Sequence, residues 1–304
     1  MLTLIEASKL IQNPLQRGIV EIIAASTPVL ERLPLMEVAG NAYNFNREHT
    51  LPGADFRAIN EPYTESTGIH DPQTEPLKVL GGTSKIDRAL VKTQGNLNDL
   101  RAIADSQKAK ATGLQFSKYF FKGDELADPR QFNGLQKRLG GSQLLAAGTA
   151  SGGDALTLAA LDELIDAVQG GPDMLFMNKT MRRKVNALMR AAGQAIETVS
   201  DVFGRQIPAY AGIPIGVVEV DAEKQEILGF TEANPGGGSP ASTSIYAVRF
   251  GAMEAVSGLQ AGGLEVVDNG LVNSVFYETL IEWICSFTIF NPRSAARLCG
   301  LKAA

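Results

Sequence analysis

The segment NREHTLPGADFRAINEPYTESTGIHDPQTEPLKVLGGTSKIDR, residues 46–88, constrains the architecture of this 304-residue chain more than any other stretch. Its helix breakers are Pro52, Pro62, Pro72, Pro76, Gly53, Gly68, Gly81 and Gly82. Because proline lacks an amide donor and glycine favours turns, this spacing excludes a helix from the whole segment.

The apolar residues of the same segment are too sparse for a core of their own. They are Leu51, Phe56, Ile59, Tyr63, Ile69, Leu77, Val79 and Ile86. Stretches this long without regular structure are uncommon in compact domains, and they are functional or disordered. A third possibility is a protruding hairpin whose apolar side chains are buried on another subunit.

On the N-terminal side, PLQRGIVEIIAA, residues 14–25, predicts a short amphipathic helix. Asn13 is placed to cap it, Pro14 occupies its first position, and Leu15, Ile19, Ile22 and Ile23 share one face. Chain ends are loose unless they are docked. The helix therefore either packs on its own domain or forms an arm that docks on a neighbouring subunit.

On the C-terminal side, the pattern predicts helices followed by strands, an α+β arrangement. Helical spacing predicts one long helix over residues 97–121, ended by Gly123 and Asp124, then helices over 157–168 and from the Asn178 cap to Met189. Strands are predicted at 174–177, 215–220, 244–250, 264–267 and 275–290. The loop ANPGGGSPAST, residues 233–243, is predicted to be a solvated hairpin tip.

Composition excludes several classes of function. Hydrophobic residues make up 44% of the chain and charged residues 20%, and the net charge of −5 comes without any basic run, which argues against tight sequence-independent DNA binding. Cys285 and Cys299 are too few for a disulfide scaffold and lack CxxC spacing, which favours synthesis in a reducing, intracellular place. The N-terminus lacks the pattern of a secretory signal, and no apolar run approaches membrane-spanning length, so a soluble protein is expected.

No constellation of residues suited to catalysis is evident. The two histidines, His49 and His70, lie in the Pro/Gly-rich segment without a metal-ligand pattern. Asp162, Glu163 and Asp166 lie on the polar side of a predicted helix, which indicates a solvated face. A nucleophile elbow and nucleotide-binding glycine motifs are absent. The sequence therefore predicts no enzyme activity, no catalytic, cofactor-binding or metal-binding residues, and no cofactor.

The stretch FNGLQKRLGG, residues 132–141, has the glycines and cations of a phosphate loop. We expect no helix N-terminus after these glycines to receive a phosphate, and the preceding element is a helix rather than a strand. The stretch is therefore predicted to be a turn anchored by Phe132 and Leu135, with Lys137 and Arg138 facing solvent or a partner's carboxylates.

Taken in order, these elements resemble the major capsid proteins of tailed bacteriophages, which have the Hong Kong 97-type fold. LPGADFRAINEPYTES (51–66) is similar to the outgoing limb of the family's extended loop and KVLGGTSKIDRAL (78–90) to its return limb. FNGL (132–135) resembles the turn after the spine helix, and YAGIPIGVVEV (210–220) resembles a strand entry in the axial domain. The resemblance covers nearly the whole chain, and its specificity lies in the order of the motifs.

The resemblance implies an organisation into arm, loop and domains. The implied parts are an N-terminal arm (1–27), the first part of a peripheral domain (28–45), an extended loop (46–92), a spine helix with peripheral domain (93–141), an axial domain (142–260), and peripheral strands with a C-terminal return to the axial domain (261–304). The candidate subunit-interface residues are Ile19, Ile22, Ile23, Phe56, Tyr63, Ile69, Lys137 and Arg138.

The implied function is structural: hexamers and pentamers of an icosahedral phage shell that encloses double-stranded DNA, assembled in the host cytoplasm and located in the virion. Other copies of the chain, a separate scaffolding protein, a portal and decoration proteins are the implied partners, with no membrane and no tight sequence-specific DNA contact. An encapsulin-type compartment and a soluble α+β enzyme are the rivals. Some relatives crosslink a loop lysine to an asparagine of an adjacent subunit, but Lys78 and Lys85 are expected to be solvated at a non-covalent interface.

Overall fold

The computed structural model describes residues 3–50, 52–94, 100–201, 204–238 and 241–303, without the side chains of residues 48–50, 69, 70 and 94. The helices are α1 (Leu4–Ser8), α2 (Pro14–Ser26), α3 (Pro28–Arg32), α4 (Arg88–Gln94), α5 (Leu100–Lys122), α6 (Leu135–Arg138), α7 (Leu158–Asp166) and α8 (Lys179–Ala191), with short 3-10 turns at Gly141–Gln143 and Pro292–Ser294.

The strands form three sheets. They are β1 (Leu35–Glu37), β2 (Ala42–Thr50), β3 (Ile69–Pro76), β4 (Lys78–Asp87), β5 (Leu144–Ala146), β6 (Met174–Met177), β7 (Glu197–Ser200), β8 (Gln206–Tyr210), β9 (Ile213–Val217), β10 (Ser242–Val248), β11 (Val256–Val272), β12 (Phe276–Ile289) and β13 (Ala295–Lys302). A four-stranded sheet has the order β1-β11-β12-β4, a seven-stranded sheet the order β5-β13-β10-β6-β9-β8-β7, and β2 and β3 form a separate ribbon.

The long helix α5 is the centre of the main core. Three of its phenylalanines, Phe116, Phe120 and Phe121, are completely buried. Phe116 packs 4.9 Å from the ring of Trp283, and Phe120 packs 4.6 Å from that of Phe287, both on β12. Burying each such side chain contributes about 1.5–3 kcal/mol, so these contacts fix the helix on the four-stranded sheet.

The N-terminal helix packs on its own chain, which corrects its assignment as an arm on a neighbour. Asn13 caps α2 as predicted, but Ile19 and Ile23 are buried in the main core, and Ile22 is half-buried against it. The close approach depends on Gly113 of α5, where an added Cβ would lie 2.1 Å from the Ser26 hydroxyl oxygen. The alternative of a helix docked on its own domain is therefore the correct one.

Several predicted elements are confirmed, and others differ in length. Thr157 caps α7 and Asn178 caps α8 through side-chain oxygens that accept backbone N–H groups. The strand predicted at 264–267 is part of β11, which runs from Val256 through an irregularity between Ala261 and Leu264. The glycine pair within that irregularity has positive φ, so a sequence pattern that reads as a break is a bulge inside one strand.

The glycine-rich stretch 233–243 is a loop closed by the antiparallel bridge of Glu232 with Ser242, and Ala233, Pro235, Gly237 and Gly238 are exposed as predicted. Asn234 is buried and donates its side-chain amide to the carbonyl oxygen of Ala150 at 2.7 Å. Ser242 already belongs to the buried strand β10. Asn234 therefore anchors this largely exposed loop on the turn that precedes α7.

Candidate assembly surfaces

The extended segment leaves the body of the protein as a two-stranded ribbon and returns into a sheet. β2 and β3 pair antiparallel from Ala42 opposite Pro76 to Thr50 opposite Ile69. The chain then enters β4, which pairs with β12 along its whole length, from Lys78 opposite Cys285 to Asp87 opposite Phe276. The return limb is thus fixed in the four-stranded sheet, while the outgoing limb pairs only with β3 in its sheet.

The tip of the segment, residues 52–68, contains no strand and presents apolar side chains to solvent. The solvent-accessible area, relative to that of the same residue type in a reference peptide, is 107% for Phe56, 92% for Ile59 and 68% for Tyr63. These values mean that Phe56 and Ile59 are not buried by any other part of their own chain. Exposed apolar side chains grouped in this way mark an interaction surface.

Contacts across the tip give it a defined shape. The Arg57 guanidinium lies 5.0 Å from the Tyr63 ring centroid, and the Ser66 hydroxyl donates to the carbonyl oxygen of Gly53 at 2.9 Å. The predicted interface residues Phe56 and Tyr63 therefore lie on one exposed loop. The side chain of Ile69, the third predicted interface residue of this segment, lies outside the described side chains, as do those of His49 and His70.

Arg138 lies at the root of the ribbon, inside its own chain, which corrects its assignment to solvent or a partner. Both terminal nitrogens of its guanidinium contact the carboxylate of Glu75 on β3, one of them at 2.8 Å. Its Nε donates to the carbonyl oxygen of Asn133 at 2.6 Å, and its cation lies 4.6 Å from the Phe287 ring centroid. Lys137 is half-exposed and pairs with Asp124 of its own chain at 2.8 Å.

Two further cations strengthen this root. Arg47 of β2 donates to the carbonyl oxygen of Ile289 at 2.6 Å, and its partial burial lowers the pKa of its guanidinium. Lys78 donates to Glu125 at 2.8 Å and to the Pro129 carbonyl oxygen at 2.7 Å. The ribbon is thus rigidly attached at its base and free at its tip. No sequence signal identified Glu75 as a partner, because the pairing depends on strand register.

The turn 132–141 has a different detailed structure from the one predicted. Phe132 and Leu135 are buried anchors as predicted, but a one-turn helix, α6, does follow Gly134. The Gly134 amide donates to the carbonyl oxygen of Gly123 at 2.9 Å, and an added Cβ would lie 2.7 Å from the Tyr119 carbonyl oxygen. This helix start is packed against the end of α5, so there is no room for a phosphate.

A buried charged cluster joins α5 to the seven-stranded sheet. Arg297 of β13 donates to Glu232 at 2.8 Å, and the Ser244 hydroxyl also donates to this carboxylate. The Lys122 ammonium lies 3.9 Å from the other Glu232 oxygen, and burial lowers its pKa. Charges this deeply buried are held by mutual pairing, which gives the cluster a structural role.

The described residues hold neither a metal-binding cluster nor a reactive thiol. No cluster of three or more His, Cys, Asp or Glu side chains suited to a metal ion occurs in these parts of the chain. Cys285 and Cys299 are free thiols, and burial raises the pKa of each, which disfavours the reactive thiolate. No helix within the described ranges is long and apolar enough to cross a membrane.

Comparisons with known proteins agree on one fold. Residues 12–155 match the family model described as Major capsid protein GP7. No curated protein sequence matches the chain significantly. Among solved structures, the SrpI encapsulin of Synechococcus elongatus is similar with a TM-score of 0.65 and 18% identity, over 90% of this chain and 86% of that one.

Shell proteins of phage-like particles are similar to the same extent. The capsid protein of a native GTA particle has a TM-score of 0.64 and 14% identity, over 91% of this chain and 90% of that one. A protein of Mycobacterium phage Bobi has a TM-score of 0.60 and 13% identity, over 90% of this chain and 89% of that one. The family match includes α2, the extended ribbon and α5, and the fold match extends over nine-tenths of the chain, so the chain has the Hong Kong 97-type fold and is similar to major capsid proteins.

Proposed function

We propose that the chain forms hexamers and pentamers of an icosahedral tailed-phage head that encloses double-stranded DNA. The observation that carries this proposal is the extended segment, whose rigid root holds exposed Phe56, Ile59 and Tyr63 away from their own subunit. A stable interface buries on the order of 1,600 Å² in total, and a loop lying across a neighbour supplies such area without a separate core.

The proposal includes the domain limits and partners that the resemblance implies. Residues 46–92 are the extended loop, 93–141 the spine helix with peripheral domain, and 142–260 the axial domain. Other copies of the chain are the main partners, with a scaffolding protein during assembly, a portal at one vertex and decoration proteins outside. The subunit assembles in the host cytoplasm, resides in the virion and performs no catalysis.

A second candidate function is an encapsulin-type compartment, favoured by the fold similarity to the SrpI encapsulin. Electron microscopy of purified particles, combined with nuclease protection, separates the two. DNA-filled heads support the phage shell, protein-filled shells support the compartment, and the absence of particles contradicts both. The match of residues 12–155 to a major capsid family supports the first outcome.

A further inference from the structure

Two neighbouring helices of the seven-stranded sheet carry charges of opposite sign. Helix α8 has no acidic residue, and its cations are Lys179, Arg182, Arg183, Lys184 and Arg190. Helix α7 has no basic residue, and its carboxylates are Asp162, Glu163 and Asp166. This segregation is notable in a chain whose basic residues are otherwise dispersed.

Both charged surfaces point away from the same core. Leu161 and Leu164 of α7 share one buried cluster with Met181 and Val185 of α8, so the two helices cover the same face of the sheet. On α8, Arg183 and Arg190 are exposed two turns apart, about 10 Å along the axis, and define a basic stripe.

The exposed face of α7 forms the matching acidic surface. Asp162, Glu163 and Asp166 are all exposed, and we call them the acidic stripe. Asp162 and Asp166 lie about one helical turn apart, roughly 6 Å along the axis. The spacing of each stripe is that of a single helix face, so each can meet the side of another helix.

The two stripes do not neutralise each other within one subunit. In the described ranges no carboxylate of α7 pairs with Arg183 or Arg190 of α8, although the helices are neighbours, and Lys179 pairs with Glu219 instead. Arg190 donates to the Asn186 carbonyl oxygen and Arg183 contacts the Thr180 hydroxyl, neither of which is an anion. Asp162 accepts from the Tyr210 hydroxyl at 2.6 Å, which fixes its position on the surface.

We propose that the basic stripe of α8 docks on the acidic stripe of α7 of the neighbouring copy within a hexamer or pentamer. The inference rests on the proposed shell function. Each copy then uses two different surfaces, and such a heterologous contact closes into a ring when the rotation between copies is repeated. Complementary charge selects the partner and fixes the register of the contact.

A second copy fits these surfaces better than a nucleic acid does. A phosphate backbone that approaches the exposed side of α8 also meets the carboxylates of the adjacent helix α7, and these carboxylates repel it. The chain as a whole carries a net charge of −5, which further disfavours that partner. Another copy brings an acidic and a basic stripe and satisfies both.

Charge reversal tests the contact on the full chain. Arg183→Glu with Arg190→Glu should abolish capsomers and shells, because acidic stripes then face each other, and Glu163→Lys with Asp166→Lys should do the same. All four changes in one chain should restore assembly. Asp162 is left unchanged because it holds Tyr210, and Lys9→Glu with Arg130→Glu, two exposed positions away from both helices, controls for net charge.

Mixing the two reversed variants in equal amounts gives a more specific result. One variant then has two acidic stripes and the other has two basic stripes, so every contact is attractive when the two variants alternate around a ring. Strict alternation is possible only in a ring with an even number of subunits. The mixture should therefore form hexamers, sheets or tubes, but no shells that need pentamers, in electron micrographs. Circular dichroism should show each variant folded alone; if a reversed pair does not fold, Arg183→Gln with Arg190→Gln should still weaken capsomers.

The outcomes separate this inference from the proposed function. If the wild-type chain assembles and the reversed variants assemble equally well, the α7–α8 contact is wrong and the shell function stands. If shells of the α8 variant form normally but protect less DNA from nuclease, the basic stripe contacts nucleic acid and the proposal is also overturned. If the wild-type chain forms no capsomers or shells under any condition, the proposed function itself fails.

Discussion

Arg138 and Glu75 form a bidentate ion pair that ties the return strand of the extended loop to the turn after the long helix, and their side chains are only 13% and 11% exposed. Removing one partner leaves a buried charge uncompensated, which costs about 3–5 kcal/mol. We expect Glu75→Gln to lower the free energy of unfolding by about 3 kcal/mol in urea titrations. Lys137→Gln, which breaks a half-exposed pair, is the matched control and should cost less than about 1 kcal/mol. Equal effects would contradict the account of this root.

Replacing residues 52–68 by a short Gly-Ser linker should leave the subunit folded but unable to form shells. Phe56 and Ile59 are not buried in their own chain, so their loss should leave the thermal unfolding midpoint unchanged within error. Sedimentation velocity and calorimetry measure the two properties. Normal closed particles from this variant would show that the loop has no role in assembly.

The correction of the N-terminal helix gives a prediction about stability. Ile23 is completely buried under α5, so Ile23→Ala should lower the free energy of unfolding by about 2–5 kcal/mol. Leu15 on the same helix is 40% exposed, and Leu15→Ala should cost well under 1 kcal/mol. Similar small costs at both positions would mean that the helix does not pack on its own subunit.

These cases show which parts of the structure the sequence could predict. Local signals succeeded where caps and periodicity act within one element, as with Asn13 and Asn178. They failed where tertiary packing decides. The amphipathic face of α2 fits a core or an interface equally well, and only the close approach at Gly113 distinguishes the two.

The candidate surfaces divide in the same way. The exposed tip with Phe56 and Tyr63 follows from proline spacing and sparse apolar residues, which sequence alone reveals. The pairing of Arg138 with Glu75 depends on the register between β2 and β3 and on the turn 132–141. The strand β13 was missed because ARLCGLK has no alternating pattern: it is buried on both faces in the middle of a sheet.

The hairpin of β11 and β12 should lose stability on acidification. The hydrogen bond from Lys85 lowers the pKa of Glu278, and the hydrogen bond from Arg101 lowers that of Asp268. A lowered carboxyl pKa contributes stability that is present above the unfolded value of about 4 and is lost as pH falls through the folded value. The thermal unfolding midpoint should therefore decrease as the pH falls below about 4. This decrease should be less steep in the Glu278→Gln variant, which lacks the titrating carboxylate. Identical slopes in the two proteins would refute the role of this pair.

Mature particles should contain no covalent crosslinks between subunits. Lys78 pairs with Glu125 and Lys85 with Glu278 of their own chain, so both lysine side chains are engaged within their own subunit rather than placed against an asparagine of a neighbour. Particles boiled in denaturing detergent should run as one band near 32.4 kDa. A ladder of multimers that disappears in Lys78→Ala or Lys85→Ala would show a crosslinking reaction.

The central claim is that this chain builds a closed shell from copies of itself. Cryo-electron microscopy of the assembled material, purified at rising protein concentration with sedimentation velocity in parallel, tests it most directly. We predict capsomers and closed shells in which residues 52–68 of each copy lie on a neighbouring copy. A single species at the monomer mass of 32.4 kDa under every condition, or shells in which those residues touch only their own subunit, would contradict the account.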